Sequence, residues 1–279
     1  MPVLDVILNC ACLLLWLNWR SQSLAGVPRA SGIALVGTLR RVDRSSAEHW
    51  VSPALLVTLL IGRAFLYWHI GATAHWTPRI SLAAVVLHFR ADYFTRMLVF
   101  SWLGFLRILG GFYFSLLLLA ALNRAGTAGP WNVLIRAHLG FLGRVPVWLG
   151  VLLPFLFTFL FWLITGPLLA AMKVHLPVTS FYQLCAQASV VGLEGWLVWP
   201  YVIAAVLILN IVSSYVYLGN APLWNFMNST AQQLLRPLRF LPLRMGKVDL
   251  APMPALAFLV AIIVFAPAGL TALYKALAT

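Results

Sequence analysis

Apolar residues fall in long runs along this chain, separated by shorter stretches where polar and charged residues gather. The runs lie at about 3–19, 51–70, 98–122, 147–172, 196–218 and 254–277. A helix needs about 20 apolar residues to cross the hydrocarbon core, so they predict six membrane-spanning helices. The first run is short and is followed by Arg20. It lacks the basic start and small-residue cleavage site of a secretory leader, so it is read as an uncleaved span. Between the runs the pattern changes. In Asn220–Leu256, Leu223, Phe226 or Met227, Ala231 and Leu234 recur at helical spacing, while Asn225, Asn228, Ser229, Gln232 and Gln233 fill the other face. Asn220 is a candidate cap, Pro222 suits a first helical turn, and Pro237 ends the helix because it lacks an N–H. A rigid basic segment follows, from Leu235 to Pro242, then a turn at Gly246 and Val248-Asp249-Leu250-Ala251-Pro252 opening the last run.

The same arrangement of span, amphipathic linker, proline and span occurs upstream. Gly129-Pro130-Trp131-Asn132-Val133-Leu134-Ile135 parallels Ala221-Pro222-Leu223-Trp224-Asn225-Phe226-Met227, and Trp131, Leu134, Ile135, His138 and Leu142 form a second helical stripe. A weaker third copy lies near the start, where Leu39-Arg40-Arg41-Val42-Asp43 and Val51-Ser52-Pro53 echo the basic segment and the proline entry. From Asn18 to Pro53, Asn123 to Pro154 and Asn220 to Pro252 the spacings are 35, 31 and 32 positions. The fold class expected is therefore all-α: a polytopic membrane protein with about six transmembrane helices arranged as three helix pairs with amphipathic cytoplasmic linkers. The pairs are 1–75 (degenerate), 98–172 and 196–279. Two outside loops, 76–97 and 173–195, join them. In the first of these, Ile80, Leu82, Val85, Val86 and Phe89 fit an interfacial helix lying flat.

Composition removes the soluble alternatives. Of 279 residues, 62% are hydrophobic and 9% charged, with a mean hydropathy of +0.94. A net charge of +13 would suggest nucleic acid for a soluble domain. Here the cations are loop charges that set topology and touch anionic lipid, so no nucleic-acid partner is expected. The three odd-numbered loops carry 12 Lys and Arg, and the opposite side carries five. That excess places the linkers in the cytoplasm and both termini outside, in the inner (plasma) membrane of the cell. Nine of the twelve tryptophans fall near span ends or on linkers, as in an aromatic belt.

The segment Leu234-Leu235-Arg236-Pro237-Leu238-Arg239-Phe240-Leu241-Pro242, followed by Val248-Asp249-Leu250-Ala251-Pro252 at the mouth of a span, resembles the YggT (YlmG) family of small integral membrane proteins. The likeness covers about forty residues and rests on two prolines, two arginines and the aspartate. Leu243-Arg244-Met245 departs from the family's proline- and glycine-rich turn, Ala251 replaces its usual serine, and Pro254 interrupts the early helix. The resemblance implies a membrane protein linked to assembly of membrane complexes and cofactors, to division or nucleoid organisation, or to osmotic tolerance. It implies no reaction.

Candidate chemistry is sparse. The acids are Asp5, Asp43, Glu48, Asp92, Glu194 and Asp249, all in loops or near helix ends. No phosphate-cradling loop, zinc-protease motif or nucleophile elbow is present, so no enzyme activity is expected. Cys10 and Cys12 form an isolated C-x-C within a span, and the histidines show neither an attachment motif nor an i, i+4 pair. No metal site and no cofactor are expected. Two residues stand out inside predicted spans. Arg63 and Arg107 each lie about ten residues in, where a charge is costly. They read as an anion path, as a clamp for a lipid or partner carboxylate, or as snorkelling side chains. In Asn220–Leu256, Arg236, Arg239, Arg244, Lys247, Asp249, Trp224 and Phe226 are the candidate lipid- or partner-binding residues. Pro222–Leu235 is expected flat on the anionic inner leaflet with its apolar face in the acyl boundary, and Asp249 is expected to cap the last helix or to pair with Arg239. These features favour a non-enzymatic scaffold, assembly factor or small subunit of a larger membrane complex, with a partner membrane protein or further copies of itself. The alternative is an ion or osmolyte channel or transporter component.

Overall fold

The computed structural model describes residues 2–23, 48–73, 76–124, 129–175, 180–215, 221–236, 244–245, 248–249 and 252–278. They form an all-α polytopic membrane protein. The helices are α1 (Pro2–Ser23), α2 (Glu48–Thr73), α3 (Phe94–Leu122), α4 (Pro130–Leu139), α5 (Val147–Ala171), α6 (Phe181–Glu194), α7 (Val198–Tyr215), α8 (Pro222–Leu235) and α9 (Pro252–Ala278). Short antiparallel pairs are β1 (Arg79–Ser81) with β2 (Val86–His88), and β3 (Arg244–Met245) with β4 (Val248–Asp249). Six helical stretches are long and apolar enough to cross a membrane: Val3–Gln22, Trp50–Gly71, Phe94–Leu122, Val147–Ala171, Phe181–Ser214 and Pro252–Leu277.

Contacts divide the chain into two compact units. The first contains residues 1–80, 86–112 and 171–176. Its centre is the pairing of α1 with α2, where Cys12, Leu56 and Leu60 are buried together with Phe105 of α3. Polar groups reinforce the pairing. Asn18 Nδ2 donates to Ser52 Oγ at 2.9 Å, and Ser101 Oγ donates to the Leu60 carbonyl at 2.9 Å. The segment expected to be a flat interfacial helix is a hairpin instead. Leu82 and Val85 exchange backbone hydrogen bonds at the turn, and each strand buries its central residue, Ile80 or Leu87. The positions read as a helical stripe also fit an alternating pattern. The strand wins because Pro78 withholds an N–H just before it and Ile80 and Val86 are β-branched. Phe89, Trp76, Tyr67 and Phe100 then pack edge to face, with centroids 5.3–6.4 Å apart.

The second unit contains residues 81–85, 113–170 and 177–279. The stretch 173–195, expected to be a loop, turns helical at Phe181. Ser180 caps α6 by accepting from the Gln183 N–H at 3.1 Å. A 3₁₀ turn at Gly195–Leu197 joins α6 to α7. The apolar stripe of α8 meets protein, which corrects the expectation that it enters the acyl boundary. Phe226 lies in a core with Phe114, Leu117, Ile135 and Leu139, while Ala231 and Leu235 lie in another with Val206, Leu207 and Leu259. Its exposed stripe is Asn225, Ser229, Gln232 and then Arg236. The residue at the α8 N-cap is Ala221, which makes no side-chain cap bond; Asn220 lies outside the described residues. Pro130 and Pro222 occupy the first turns of α4 and α8, and these two helices pack together.

Candidate functional site: a closed ion pair and an exposed arginine

Arg63 lies on α2, ten residues before its end, with a side chain only 2% exposed. The neighbouring helix answers it. Asp5 and Asn9 stand one turn apart on α1, and Arg63 and Tyr67 one turn apart on α2. When the two helices pair, these faces meet. Arg63 Nη2 donates to Asp5 Oδ1 at 2.9 Å, and Nη1 donates to Asn9 Oδ1 at 2.7 Å. Tyr67 Oη donates to the same Asp5 oxygen at 2.5 Å. The guanidinium carbon lies 5.4 Å from the Tyr67 ring centroid and 5.7 Å from that of Phe100. Gly104 of α3 leaves the space this needs, since a Cβ there would stand 3.1 Å from Nη2.

An arginine near a span centre costs about 3 kcal/mol on insertion scales. At Arg63 the cost is offset by one carboxylate, one amide oxygen and two ring faces. The charge is matched and both terminal nitrogens are used; only Nε is buried without a hydrogen-bond partner among the described residues. A guanidinium does not release its proton, so this cluster does not relay one through Arg63. It joins α1 to α2 and seats both against the start of α3.

Arg107 behaves differently. It follows Phe94 by 13 residues in a 29-residue helix, so it is about 20 Å from either end of α3. Its side chain is exposed, and among the described residues it makes no ion pair or hydrogen bond. Of the two intramembrane arginines, Arg63 is therefore turned onto protein and Arg107 is not. The reason is the rest of the chain: the described acids inside the candidate spans are Asp5 and Glu194, and Asp5 is engaged by Arg63.

Of the candidate residues in Asn220–Leu256, only some lie among the described residues. Phe226 is buried, Trp224 half-buried and Arg236 exposed at the end of α8. Asp249 is a strand residue, opposite Arg244 in the β3–β4 ladder. It stands three residues before α9 begins at Pro252, and its expected pairing with Arg239 falls outside the described residues. Arg239 and Lys247 lie outside the described residues. A second polar cluster, which the sequence did not suggest, holds α8 to the end of α3. Asn123 Nδ2 donates to Thr230 Oγ1 at 2.9 Å, and Gln233 Nε2 donates to Asn123 Oδ1 at 3.4 Å. Among the described residues no group of three or more His, Cys, Asp or Glu is placed to hold a metal.

The partners of Arg63 also went unrecognised in the sequence. The signal was present: two polar residues four apart on one apolar helix, facing two polar residues four apart on the next. No family model, no curated protein and no solved structure matches this chain. The resemblance to the YggT family thus stands on its motif alone, part of which lies outside the described residues.

Proposed function

We propose that this protein is a non-enzymatic membrane scaffold, an assembly factor or small subunit of a larger membrane complex. The observation that carries the reading is the closed state of Arg63. The buried charge of Arg63 is matched by Asp5, bonded to Asn9 and covered by aromatic rings, which supports a rigid framework over a conduit. The reading includes an inner-membrane location, with both termini outside the cytoplasm and linkers inside, argued from the distribution of Lys and Arg. It includes duplicated helix pairs, supported by the matching proline starts of α4 and α8 and by their packing. Arg236, Arg239, Arg244 and Lys247 would then meet anionic lipid or an acidic partner, with Asp249 tempering their charge. The YggT resemblance fits this role. The test is gentle extraction of the intact protein and native electrophoresis: a reproducible assembly larger than the chain supports the reading, and a lone chain in every detergent refutes it.

A second reading, a channel or transporter component, is favoured by one feature. The span Phe181–Ser214 is broken at Gly195–Leu197, where Thr158 Oγ1 donates to the Gly192 carbonyl at 2.9 Å and Glu194 sits at the break. Discontinuous helices form ion sites in transporters. Ion flux into proteoliposomes that contain the purified chain decides between the two.

A further inference from the structure

We infer that Arg107 marks a docking face for one transmembrane helix of a partner protein, and that this helix carries a carboxylate near the middle of its span. The inference rests on the assembly reading above and names the chemistry of the partner. Arg107 is exposed about 20 Å from either end of α3, far from the headgroups on either side. Leu103, Leu106 and Gly110 share its stripe at helical spacing. Gly110, half-buried one turn on, adds no side chain, so a second helix can approach closely there. A permanent cation on such a face is complementary to an acid and to little else that a membrane interior supplies.

Among the described residues, a second copy of this chain offers no uncommitted acid in its candidate spans. The charge of Asp5 is matched by Arg63, and Glu194 has its Oε2 closed off from the surface. These are the described acids within the candidate spans. Lipid phosphate is excluded as the main partner by depth. The pairing therefore points to a different polypeptide.

The test uses the full chain in neutral phosphatidylcholine vesicles with a synthetic Leu/Ala transmembrane peptide that bears one central Asp, beside the same peptide with Leu there. Energy transfer between the labelled chain and labelled peptide reads association. The Asp peptide is expected to associate at least about tenfold more strongly than the Leu peptide with the unmodified chain. Arg107→Leu should erase the difference and Arg107→Lys should keep most of it. Arg107→Leu removes an exposed charge, so the fold should persist, as circular dichroism will check. Equal association of the two peptides, or a preference that survives Arg107→Leu, overturns the inference. Native electrophoresis from the source membrane separates it from the assembly reading. Release of the Arg107→Leu chain from its assembly supports the docking face. An unchanged assembly overturns the docking face alone, and an unmodified chain that is never in an assembly overturns both.

Discussion

Replacing Asp5 by leucine tests whether the Arg63 cluster holds the first two helices together. The substitution leaves a guanidinium that is only 2% exposed, bonded to Asn9 but without its carboxylate, and takes from the Tyr67 hydroxyl the oxygen it donates to. Stranding a buried charge costs about 3–5 kcal/mol in soluble proteins. In membranes the unfolded chain finds other partners, which lowers such values. About 3 kcal/mol is expected, roughly 150-fold in the folding equilibrium. The reverse change, Arg63→Met, should be milder, about 1–2 kcal/mol, because the Asp5 side chain is 24% exposed and keeps its bond from Tyr67. The double change Asp5→Leu, Arg63→Met removes both charges and should fall within about 1 kcal/mol of the unmodified protein. That ordering gives a coupling of about 3 kcal/mol between the two positions. The assay is reversible unfolding in mixed micelles by titration with sodium dodecyl sulfate, followed by far-ultraviolet circular dichroism. The reasoning is refuted if Asp5→Leu lies within 0.5 kcal/mol of the unmodified protein, if Arg63→Met costs as much as Asp5→Leu, or if the double change costs the sum of the two (thresholds of about the error of such cycles).

Three further outcomes follow from the same structure. Gly195→Ala would place a Cβ 2.5 Å from the Pro154 carbonyl oxygen, so a loss of about 1–3 kcal/mol is expected in the same titration, whereas Gly150→Ala, with nothing within 4 Å, should be close to neutral. Thr230→Val removes the buried hydroxyl that Asn123 contacts, and should cost about 1 kcal/mol and expose α8 to limited proteolysis; unchanged protease resistance counts against its role in seating α8. Reporter fusions at Thr279 and near Asn220 should show activity typical of the outside and the cytoplasm respectively, and cytoplasmic activity at Thr279 sinks the proposed orientation.

What could be read in advance was set by periodicity. Long apolar runs located every candidate span, because hydropathy summed over about 20 residues is a strong signal that local context does not overturn. The proline starts of α4 and α8 were equally legible, since a first-turn proline acts through the backbone alone. The hairpin at Arg79–His88 was not. Over ten residues the apolar positions satisfy a period of two and a period of 3.6 nearly equally, and packing of Ile80, Leu87 and Phe89 adds to the weak local preference of the β-branched residues. Residues Phe181–Glu194 were missed for the opposite reason. Gln183, Gln187 and Ser189 lower the hydropathy below that of a span, yet Gln187 is 2% exposed and packs inside the protein. In α8 the moment was right and the medium wrong: an amphipathic stripe shows that one face is covered, not whether lipid or protein covers it.

The two arginines show where the sequence stops informing. Each announces a cost of about 3 kcal/mol by its depth. Which of them is compensated within the chain depends on an encounter between helices, and that encounter has a readable trace at Arg63 alone. Asp5 and Asn9, and Arg63 and Tyr67, are paired at one-turn spacing on helices that neighbour each other in sequence and pack antiparallel, with Asn18 beside Ser52 at the other end of the pair. Arg107 has polar residues at neither i±3 nor i±4 on its own helix, where Leu103, Gly104, Gly110 and Gly111 stand. A cation with small and apolar neighbours on an outer face lacks the shell that makes a buried charge tolerable in one chain. The same argument that closes the Arg63 cluster leaves Arg107 open, which is the ground for proposing that its counter-charge comes from a second protein.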